Sequence, residues 1–246
     1  MPALAASERL PALALLAGGL ATRLRPRTLT IPKSMIEVAG EPFIAHQLRW
    51  LARQGISDIV ICAGHLGDQI EAYVGNGAAF RCRVQYSFDG DKLLGTGGAL
   101  RRALTLLPDQ FFVMYGDSYL PTPFAPVLRA FERAKSPALM TVFRNSGRWD
   151  TSNVEFVDGV IRCYDKVNRT PAMRHIDYGL GVVNADVVRA RKGNEAFDLA
   201  DLYHDLVRQQ RLAGFEVYDR FYEIGSPSGL GETDLYLRQR PSGERA

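Results

Sequence analysis

The sequence predicts a single α/β domain, a three-layer α/β/α sandwich around a mostly parallel sheet. Short apolar runs alternate with longer segments whose apolar residues recur at helical spacing, most regularly in the first 145 residues. Such alternation is typical of β-α-β units, in which helices cover both faces of a parallel sheet. No proline- or serine-rich linker divides the 246 residues. We therefore expect one domain with two lobes and a cleft between them, about residues 12–145 and about residues 146–240.

The first lobe is predicted to alternate strands and helices. The apolar run 13–16 is short enough for a buried strand, and segment 41–54 has helical spacing and ends before Gly55, a typical helix stop. Further strands are expected at 58–63, 82–88, 111–115 and 138–143, and further helices at 67–74, 98–107 and 123–134. The carboxyl ends of parallel strands meet at one edge of such a sheet, where ligands bind.

The second lobe has a different pattern. Alternating apolar residues flank Asp158-Gly159, a strong signal for a β-hairpin with strands at 153–157 and 160–164. More strands are expected at 177–183, 215–218 and 220–224, and helices at 199–210 and 227–237. The regular alternation of the first lobe is therefore not continued.

Composition and charge exclude several classes of protein. Hydrophobic residues make up 46% of the chain and charged residues 23%, as in ordinary globular proteins. The net charge of +3 gives no footprint for nucleic acid, and no apolar run approaches the ~20 residues needed to span a bilayer. Three widely spaced cysteines, Cys62, Cys82 and Cys163, indicate reduced thiols in a cytoplasmic protein and no zinc site.

The stretch after the first strand has the composition of a phosphate-binding turn. Gly18 and Gly19 allow positive φ and let an anion approach backbone N–H groups. Arg23 offers a planar fork of donors, and Lys33 a compact cation. Two glycines alone more often mark an ordinary tight turn, and neither Gly-x-x-x-x-Gly-Lys-Ser/Thr nor Gly-x-Gly-x-x-Gly occurs in this turn.

The stretch as a whole resembles the signature of the sugar-1-phosphate nucleotidyltransferases. The resemblance rests on segment 18–26 (GGLATRLRP), then Thr28 and Lys33, a pattern long and fixed in spacing. Segments 39–43, 65–71 and 95–100 resemble most the branch that acts on heptose 1-phosphate or mannose 1-phosphate with GTP. The resemblance implies a GT-A-like fold with a Rossmann-like nucleotide-binding half and a smaller sugar-binding lobe. Ala21 departs from the pattern, because many members have glycine there.

The resemblance assigns nucleotide contacts to two loops. The loop 93–99 (LLGTGGA), which alone would be taken for a tight turn, corresponds to one that contacts nucleobase and ribose. The residues implied in nucleotide binding are Leu16, Ala17, Gly18, Gly19, Thr22, Gly95, Thr96 and Gly97.

Two carboxylates are implied as Mg²⁺ ligands. Asp117 follows an apolar strand, where a helix cap is an equally good explanation without the resemblance. Glu223 lies in segment 221–227 (FYEIGSP), which resembles a closing motif whose acidic residue is usually aspartate. A glutamate reaches one methylene further. We expect Asp117 and Glu223 on facing walls of the cleft, close to one ion.

Binding of the sugar and its phosphate is implied for the second lobe. Asp165-Lys166 resembles an acidic-Lys pair, although Val167 stands where the family has proline. Gly179 lies in a segment that resembles the glycine-containing sugar strand. Without the resemblance, a surface ion pair and a strand end explain these residues as well.

The implied reaction joins an NTP and a sugar 1-phosphate into an NDP-sugar and pyrophosphate, with GTP and heptose or mannose 1-phosphate favoured. Arg23 would hold the β- and γ-phosphates, and Lys33 would stabilise charge on the α-phosphoryl group. Mg²⁺ is the implied cofactor; neither nucleic acid nor a membrane is an expected partner, and an oligomer is left open. The alternatives are a uridylyl- or cytidylyltransferase for another sugar or a phospho-alcohol, and a non-catalytic, nucleotide-binding regulatory homologue.

Overall fold

The computed structural model describes residues 10–145, 147–191 and 196–240. Every predicted strand and helix is present, with shifted or identical bounds. The strands are β1 (Leu13–Leu16), β2 (Glu37–Val38), β3 (Glu41–Pro42), β4 (Asp58–Ala63), β5 (Arg83–Phe88), β6 (Gln110–Tyr115), β7 (Ser118–Tyr119), β8 (Ala138–Arg144), β9 (Val154–Val157), β10 (Val160–Tyr164), β11 (His175–Asn184), β12 (Leu212–Val217) and β13 (Tyr222–Glu223). The helices are α1 (Phe43–Arg53), α2 (Gly67–Val74), α3 (Gly95–Ala103), α4 (Phe124–Ala134), α5 (Ala185–Arg189), α6 (Leu199–Arg208) and α7 (Pro227–Gln239).

Nine of the strands form one central sheet. Their order is β5-β4-β1-β6-β11-β8-β12-β10-β9. The pairs among β5, β4, β1 and β6 are parallel, as is the pair β8–β12. Strand β11 runs antiparallel to both of its neighbours, β6 and β8. The mostly parallel sheet is thus confirmed. The sequence did not predict that β11 runs in the opposite direction. The chain passes from β8 to β11 through the β9–β10 hairpin. Because parallel neighbours need a crossover connection, usually a helix, and the hairpin provides none, β11 pairs with β8 in the antiparallel direction.

Helices cover both faces of the sheet, which confirms the three-layer fold. The side chains of β1 alternate between two apolar layers: Leu13 and Leu15 pack in the layer that contains α1 and α4, and Ala14 and Leu16 in the layer that contains α3 and α6. All four are buried. A strand with two buried faces is uniformly apolar, which explains why the run 13–16 was recognisable from the sequence.

Helix α3 differs most from its predicted bounds. It begins at Gly95 and ends at Ala103, whereas 98–107 was predicted. Its first turn contains three glycines, which disfavour a helix. The carbonyl of Phe197 accepts hydrogen bonds from the N–H groups of Gly97 (2.9 Å) and Gly98 (3.1 Å). A distant backbone group therefore satisfies donors that a local cap would otherwise satisfy.

The segments that follow β1, β6 and β13 lie close together at the carboxyl ends of β1 and β6. Gly116 donates its backbone N–H to the Leu16 carbonyl (2.9 Å), and Ala17 donates to the Cys62 carbonyl (2.9 Å). Strands β7 and β13 form a separate antiparallel pair in which Glu223 lies opposite Ser118. This pairing brings the last part of the chain to the carboxyl end of β6. In the described ranges, no helix has both the length and the apolar character needed to cross a membrane.

Candidate active site

The predicted site residues line two adjoining cavities. The glycine-turn cavity, of about 250 Å³, contains eight of the predicted residues: Leu16, Ala17, Gly18, Gly19, Lys33, Gly95, Thr96 and Asp117. The carboxylate cavity, of about 380 Å³, contains five: Arg23, Asp117, Lys166, Gly179 and Glu223. Asp117 and Tyr115 line both cavities. The structure thus places the carboxylates between the glycine turn and the second lobe.

Three predicted residues line neither cavity. A Cβ on Gly97 would collide with the ring of Phe197, so this glycine makes room for a packed side chain. Thr22 begins a short 3₁₀ turn, and its side chain is exposed. The Asp165 carboxylate accepts hydrogen bonds from the backbone N–H groups of Val167 (2.7 Å) and Asn168 (2.8 Å). It therefore stabilises its own loop in this structure.

The glycine turn, Gly18 and Gly19, packs against Gly64, a residue outside the predicted set. A Cβ on Gly64 would lie 2.6 Å from the Gly18 carbonyl oxygen, and a Cβ on Gly18 would lie 3.0 Å from the Gly64 nitrogen. The two backbones can approach this closely only because both residues lack a side chain. Ala21 adopts the left-handed conformation with φ of 48°, which explains why glycine suits this position in related sequences.

Lys33 and Asp117 form an ion pair where the cavities meet. Nζ of Lys33 lies 2.7 Å from Oδ2 of Asp117, and the two side chains are 18% and 30% exposed. Burial by itself raises the pKa of the Asp117 carboxyl, but the charge and hydrogen bond of Lys33 outweigh it and lower that pKa. Ser118 also donates its hydroxyl to Oδ1 of Asp117 (3.2 Å). Asp117 is therefore an ionised acceptor at neutral pH.

Glu223 lies beside Asp117, on a neighbouring strand. The expectation that Asp117 and Glu223 lie on facing walls of the cleft was wrong. Ile224 donates its N–H to the Asp117 carbonyl (2.9 Å), so the segments that carry the two carboxylates are hydrogen-bonded neighbours. The point where a Cβ on Gly225 would lie serves as a common reference for both carboxylates. It is 2.7 Å from Oε2 of Glu223 and 3.4 Å from Oδ2 of Asp117. The two oxygens are hence no more than about 6 Å apart, a separation that one hydrated Mg²⁺ can bridge.

Both carboxylates and an arginine meet around Gly225. Nη2 of Arg23 would lie 3.0 Å from the same Cβ position. Glu223 accepts hydrogen bonds from the Gly225 N–H and from the Ser226 hydroxyl (2.5 Å). A carboxylate has about four acceptor positions, so each one keeps capacity for a further ligand.

Asp89 is a buried carboxylate in the glycine-turn cavity and lies outside the predicted set. It is 6% exposed. Its Oδ2 accepts a hydrogen bond from the Leu94 N–H (3.2 Å), whereas Oδ1 has no partner among the described residues. Burial raises the pKa of this carboxyl, although the Leu94 N–H and the charge of Arg102 act in the opposite direction. Its only sequence signal was an acidic residue directly after a predicted strand.

Asp198 is the second acidic residue of this cavity that was not predicted. Its Oδ1 accepts a hydrogen bond from the Thr96 hydroxyl (3.2 Å), and the Thr96 hydroxyl oxygen accepts one from the Leu199 N–H (2.8 Å). Asp198 also forms a capping box with Asp201 at the start of α6. These contacts join the glycine loop of α3 to the start of α6.

The second-lobe residues are placed by aromatic contacts and by a bulge. Nζ of Lys166 lies 5.3 Å from the ring centre of Tyr115 and 5.9 Å from that of Tyr164. Gly179 has φ of 96°, and a Cβ there would approach the Tyr115 ring to 3.3 Å. Strand β11 is irregular between Asp177 and Gly181. The glycine thus allows a bulge that brings backbone close to the carboxylate cavity.

Comparison with known families shows the family to which the chain belongs. The family model described as nucleotidyl transferase matches residues 13–168, which include the glycine turn, Lys33, Asp117 and Lys166. The chain belongs to the nucleotidyl transferase family. Glu223 and Asp198, which also line the cavities, lie beyond the matched residues.

Relatives of this nucleotidyl transferase include two kinds of guanylyltransferase. A mannose-1-phosphate guanyltransferase from Eremothecium gossypii is 29% identical over 236 residues, which cover 91% of this chain and 64% of that protein. A D-glycero-alpha-D-manno-heptose 1-phosphate guanylyltransferase from Campylobacter jejuni is 24% identical over 213 residues, covering 87% and 94%. The chain thus spans less than two thirds of the length of the Eremothecium protein.

Solved structures support the same fold. A putative glucose-1-phosphate thymidylyltransferase from Bacillus anthracis superposes with a TM-score of 0.82 at 21% identity, covering 94% of this chain and 96% of that one. HddC from Yersinia pseudotuberculosis, complexed with GMP-PN, gives 0.78 at 21% identity, covering 93% and 100%. At such identities the likeness establishes architecture alone, in agreement with the α/β fold described above.

Proposed function

We propose that the protein transfers a guanylyl group from GTP to a sugar 1-phosphate, with mannose or manno-heptose 1-phosphate as acceptor, and releases pyrophosphate. Asp89 carries the choice of GTP. Guanine presents N1–H and the N2 amino group side by side, and a carboxylate can accept from both. Adenine, cytosine, uracil and thymine present no such adjacent pair of donors. Asp89 lines the glycine-turn cavity, and its buried Oδ1 has no partner among the described residues; a guanine bound against this wall would supply one.

The energy of this contact comes from burial. A buried acceptor without a partner costs roughly 1–3 kcal/mol, which a correctly placed donor recovers. A nucleobase that instead places a carbonyl or ring nitrogen against Asp89 leaves the cost unrelieved and adds repulsion. The two guanylyltransferase relatives support the same base.

The rest of the site suits transfer without a covalent enzyme intermediate. A phosphate oxygen of the acceptor forms a bond to the α-phosphorus of GTP while the bond from that phosphorus to pyrophosphate breaks in line. Backbone N–H groups of the glycine turn and Arg23 would bind the phosphates that leave. Lys33 lies where the two cavities meet, so it would stabilise charge on the transferred group.

Mg²⁺ is proposed as the cofactor. The family generally depends on a divalent metal. No cluster of three or more acidic, histidine or cysteine side chains in the described parts of the chain could hold a metal by itself. Magnesium commonly binds through one or two carboxylates together with substrate phosphates, and the ionised Asp117 with the neighbouring Glu223 fits that requirement. Bound there, Mg²⁺ would neutralise phosphate charge.

A cytoplasmic location is part of the proposal. Cys62 and Cys82 are buried thiols, and burial raises their pKa to about 12 and to about 11. Such thiols pack as small apolar side chains and persist most readily in a reducing compartment. Fractionation of the producing cells would test this location.

The test measures pyrophosphate release for each of GTP, UTP, CTP, ATP and dTTP with mannose, manno-heptose and glucose 1-phosphates. We expect GTP with a manno-configured acceptor to be fastest. Asp89→Asn replaces one acceptor by a donor, so the preference for GTP over UTP should fall about 10²-fold. Asp91→Asn is the control, because Asp91 is exposed and lines neither cavity. A parental preference for another NTP would contradict the choice of base, and absence of pyrophosphate with every pair would favour the non-catalytic homologue.

A further inference from the structure

A basic groove adjoins the carboxylate cavity on the side of the second lobe. This arginine groove has a volume of about 500 Å³ and contains the side chains of Arg144, Arg169 and Arg174. None of the described residues that line it is acidic. Thr151 and Arg169 line both the groove and the carboxylate cavity, so the two spaces are continuous neighbours.

Two arginines of the groove have no ionic partner in the part of the chain that the structure describes. Across residues 10–145, 147–191 and 196–240, neither Arg144 nor Arg174 makes an ion pair or a side-chain hydrogen bond. Arg144 on β8 lies opposite His175 in the antiparallel register with β11, and Arg174 is the residue that precedes His175 in the chain. Like charges held together without a counter-ion repel, and guanidinium groups match the paired oxygens of a phosphate or carboxylate.

Arg169 connects the groove to the proposed acceptor site. Its Nε and Nη2 donate to the carbonyl of Lys166 (3.2 and 3.1 Å), which fixes the guanidinium next to the residue proposed to bind the sugar phosphate. Asp165 holds the same loop through the Val167 and Asn168 N–H groups. A ligand that reaches from Lys166 past Arg169 enters the groove.

Thr151 and Ser152 also line the groove, and Asn145 holds the backbone beside them. Asn145 is fully buried; its side-chain amide donates to the Asp150 carbonyl and to the Ser152 hydroxyl (3.3 Å), and its Oδ1 accepts from the Trp149 N–H (3.2 Å). This anchoring fixes the backbone around Thr151. A site whose walls are already ordered loses less entropy when it binds a ligand.

We propose that the arginine groove extends the acceptor range to manno-configured sugar 1-phosphates that carry a second anionic group, a phosphate or carboxylate on the part of the sugar remote from the 1-phosphate, and that the groove binds this second group. This proposal rests on the proposed function, which places the 1-phosphate beside Lys166. The carboxylate cavity alone lies within the size range of small-molecule sites, so the groove adds room for a substituent that a simple hexose 1-phosphate lacks. Each guanidinium that contacts the second anion should strengthen binding about tenfold.

The test compares binding of matched ligands by calorimetry, without GTP. Mannose 1,6-bisphosphate is compared with mannose 1-phosphate, and glucuronic acid 1-phosphate with glucose 1-phosphate. We expect the doubly anionic member of at least one pair to bind about tenfold or more tightly. Arg174→Gln and Arg144→Gln should each remove most of that difference and leave the singly anionic ligand unchanged. Arg148→Gln is the control, because Arg148 is an exposed arginine of the same region that does not line the groove.

The outcomes separate this inference from its alternatives. Equal affinity for both members of each pair, including failure of both to bind, would overturn it. A titration with inorganic phosphate tests whether a free anion occupies the groove instead. The inference would also be overturned if phosphate binding depended on Arg174, was unaffected by saturating mannose 1-phosphate, and the protein showed no preference for doubly anionic acceptors. Pyrophosphate release with GTP and mannose 1-phosphate is measured separately, so the proposed function can stand when the groove proposal falls.

Discussion

Replacement of Lys33 by methionine tests the chemistry at the junction of the two cavities. The change keeps the apolar stem and removes the ammonium group that lies 2.7 Å from Asp117. Loss of one preorganised charge that acts on the transferred group lowers turnover by about 10²–10³, which corresponds to about 3–4 kcal/mol of transition-state stabilisation. KM for GTP should change much less than turnover, because the remaining phosphate contacts are those proposed for Arg23 and the glycine turn.

The effect of Lys33→Met on stability follows from the exposure of the pair. Fully exposed pairs contribute about 0–1 kcal/mol, and breaking a fully buried pair costs about 3–5 kcal/mol. With side chains 18% and 30% exposed, the Lys33–Asp117 pair lies between these cases, and we expect the free energy of unfolding at pH 7 to fall by about 1–3 kcal/mol. Because folding lowers the pKa of Asp117, the contribution of the pair is complete above about pH 4 and disappears as the pH falls through the folded pKa.

The assay combines urea unfolding at several pH values with steady-state rates of pyrophosphate release. Lys92→Met is the matched control, since Lys92 is exposed and lines neither cavity; it should leave turnover unchanged. A double-mutant cycle with Asp117→Asn isolates the interaction between the two side chains. Near-parental turnover of Lys33→Met would refute the catalytic role of Lys33, and a stability loss that does not diminish as the pH falls below about 4 would refute the electrostatic origin assigned to it.

The remaining predictions concern the glycine turn and the metal. Gly64→Ala places a Cβ 2.6 Å from the Gly18 carbonyl oxygen, so it should destabilise the fold by about 1–3 kcal/mol and raise KM for the NTP. Gly231→Ala is the control, because no atom lies near its Cβ position. Equal melting temperatures for the two variants would contradict the close approach of Gly64 and Gly18. EDTA should abolish pyrophosphate release and Mg²⁺ should restore it; full activity in the chelator would exclude the metal. Glu223→Gln keeps the shape and removes the charge, so the Mg²⁺ concentration for half-maximal rate should rise about tenfold; an unchanged requirement would make Glu223 a structural residue.

Local signals explain which parts of the fold were predictable. The bounds of β4 and α2 coincide with their predictions, because a β-branched apolar run and an amphipathic turn with flanking glycines are both local patterns. The direction of β11 depends on which partners it finds in the sheet, and the start of α3 depends on the carbonyl of Phe197. Neither piece of information exists in the segment itself.

The sequence could indicate the candidate site only where its residues are close together in the chain. The turn from Gly18 to Lys33 is one continuous pattern, and family resemblance carried Asp117 and Glu223 with it. Asp198 contacts Thr96 across 102 positions of sequence, and no local pattern connects them. Asp89 became a candidate only when its burial and unpartnered oxygen were known, since an aspartate after a strand is ordinary in sequence.

Glu223 shows how a departure from the family pattern is accommodated by its surroundings. A longer side chain than aspartate needs more space to keep its carboxylate beside Asp117. Gly225 and Gly229 provide that space: a Cβ on Gly225 would lie 2.7 Å from Oε2 of Glu223, and a Cβ on Gly229 would overlap Oε1. The carboxylate is then held by the Gly225 N–H and the Ser226 hydroxyl, groups at the start of α7 that favour negative charge there. The extra methylene is thus absorbed by the turn that follows it, and the charge stays within reach of the ion that Asp117 would share.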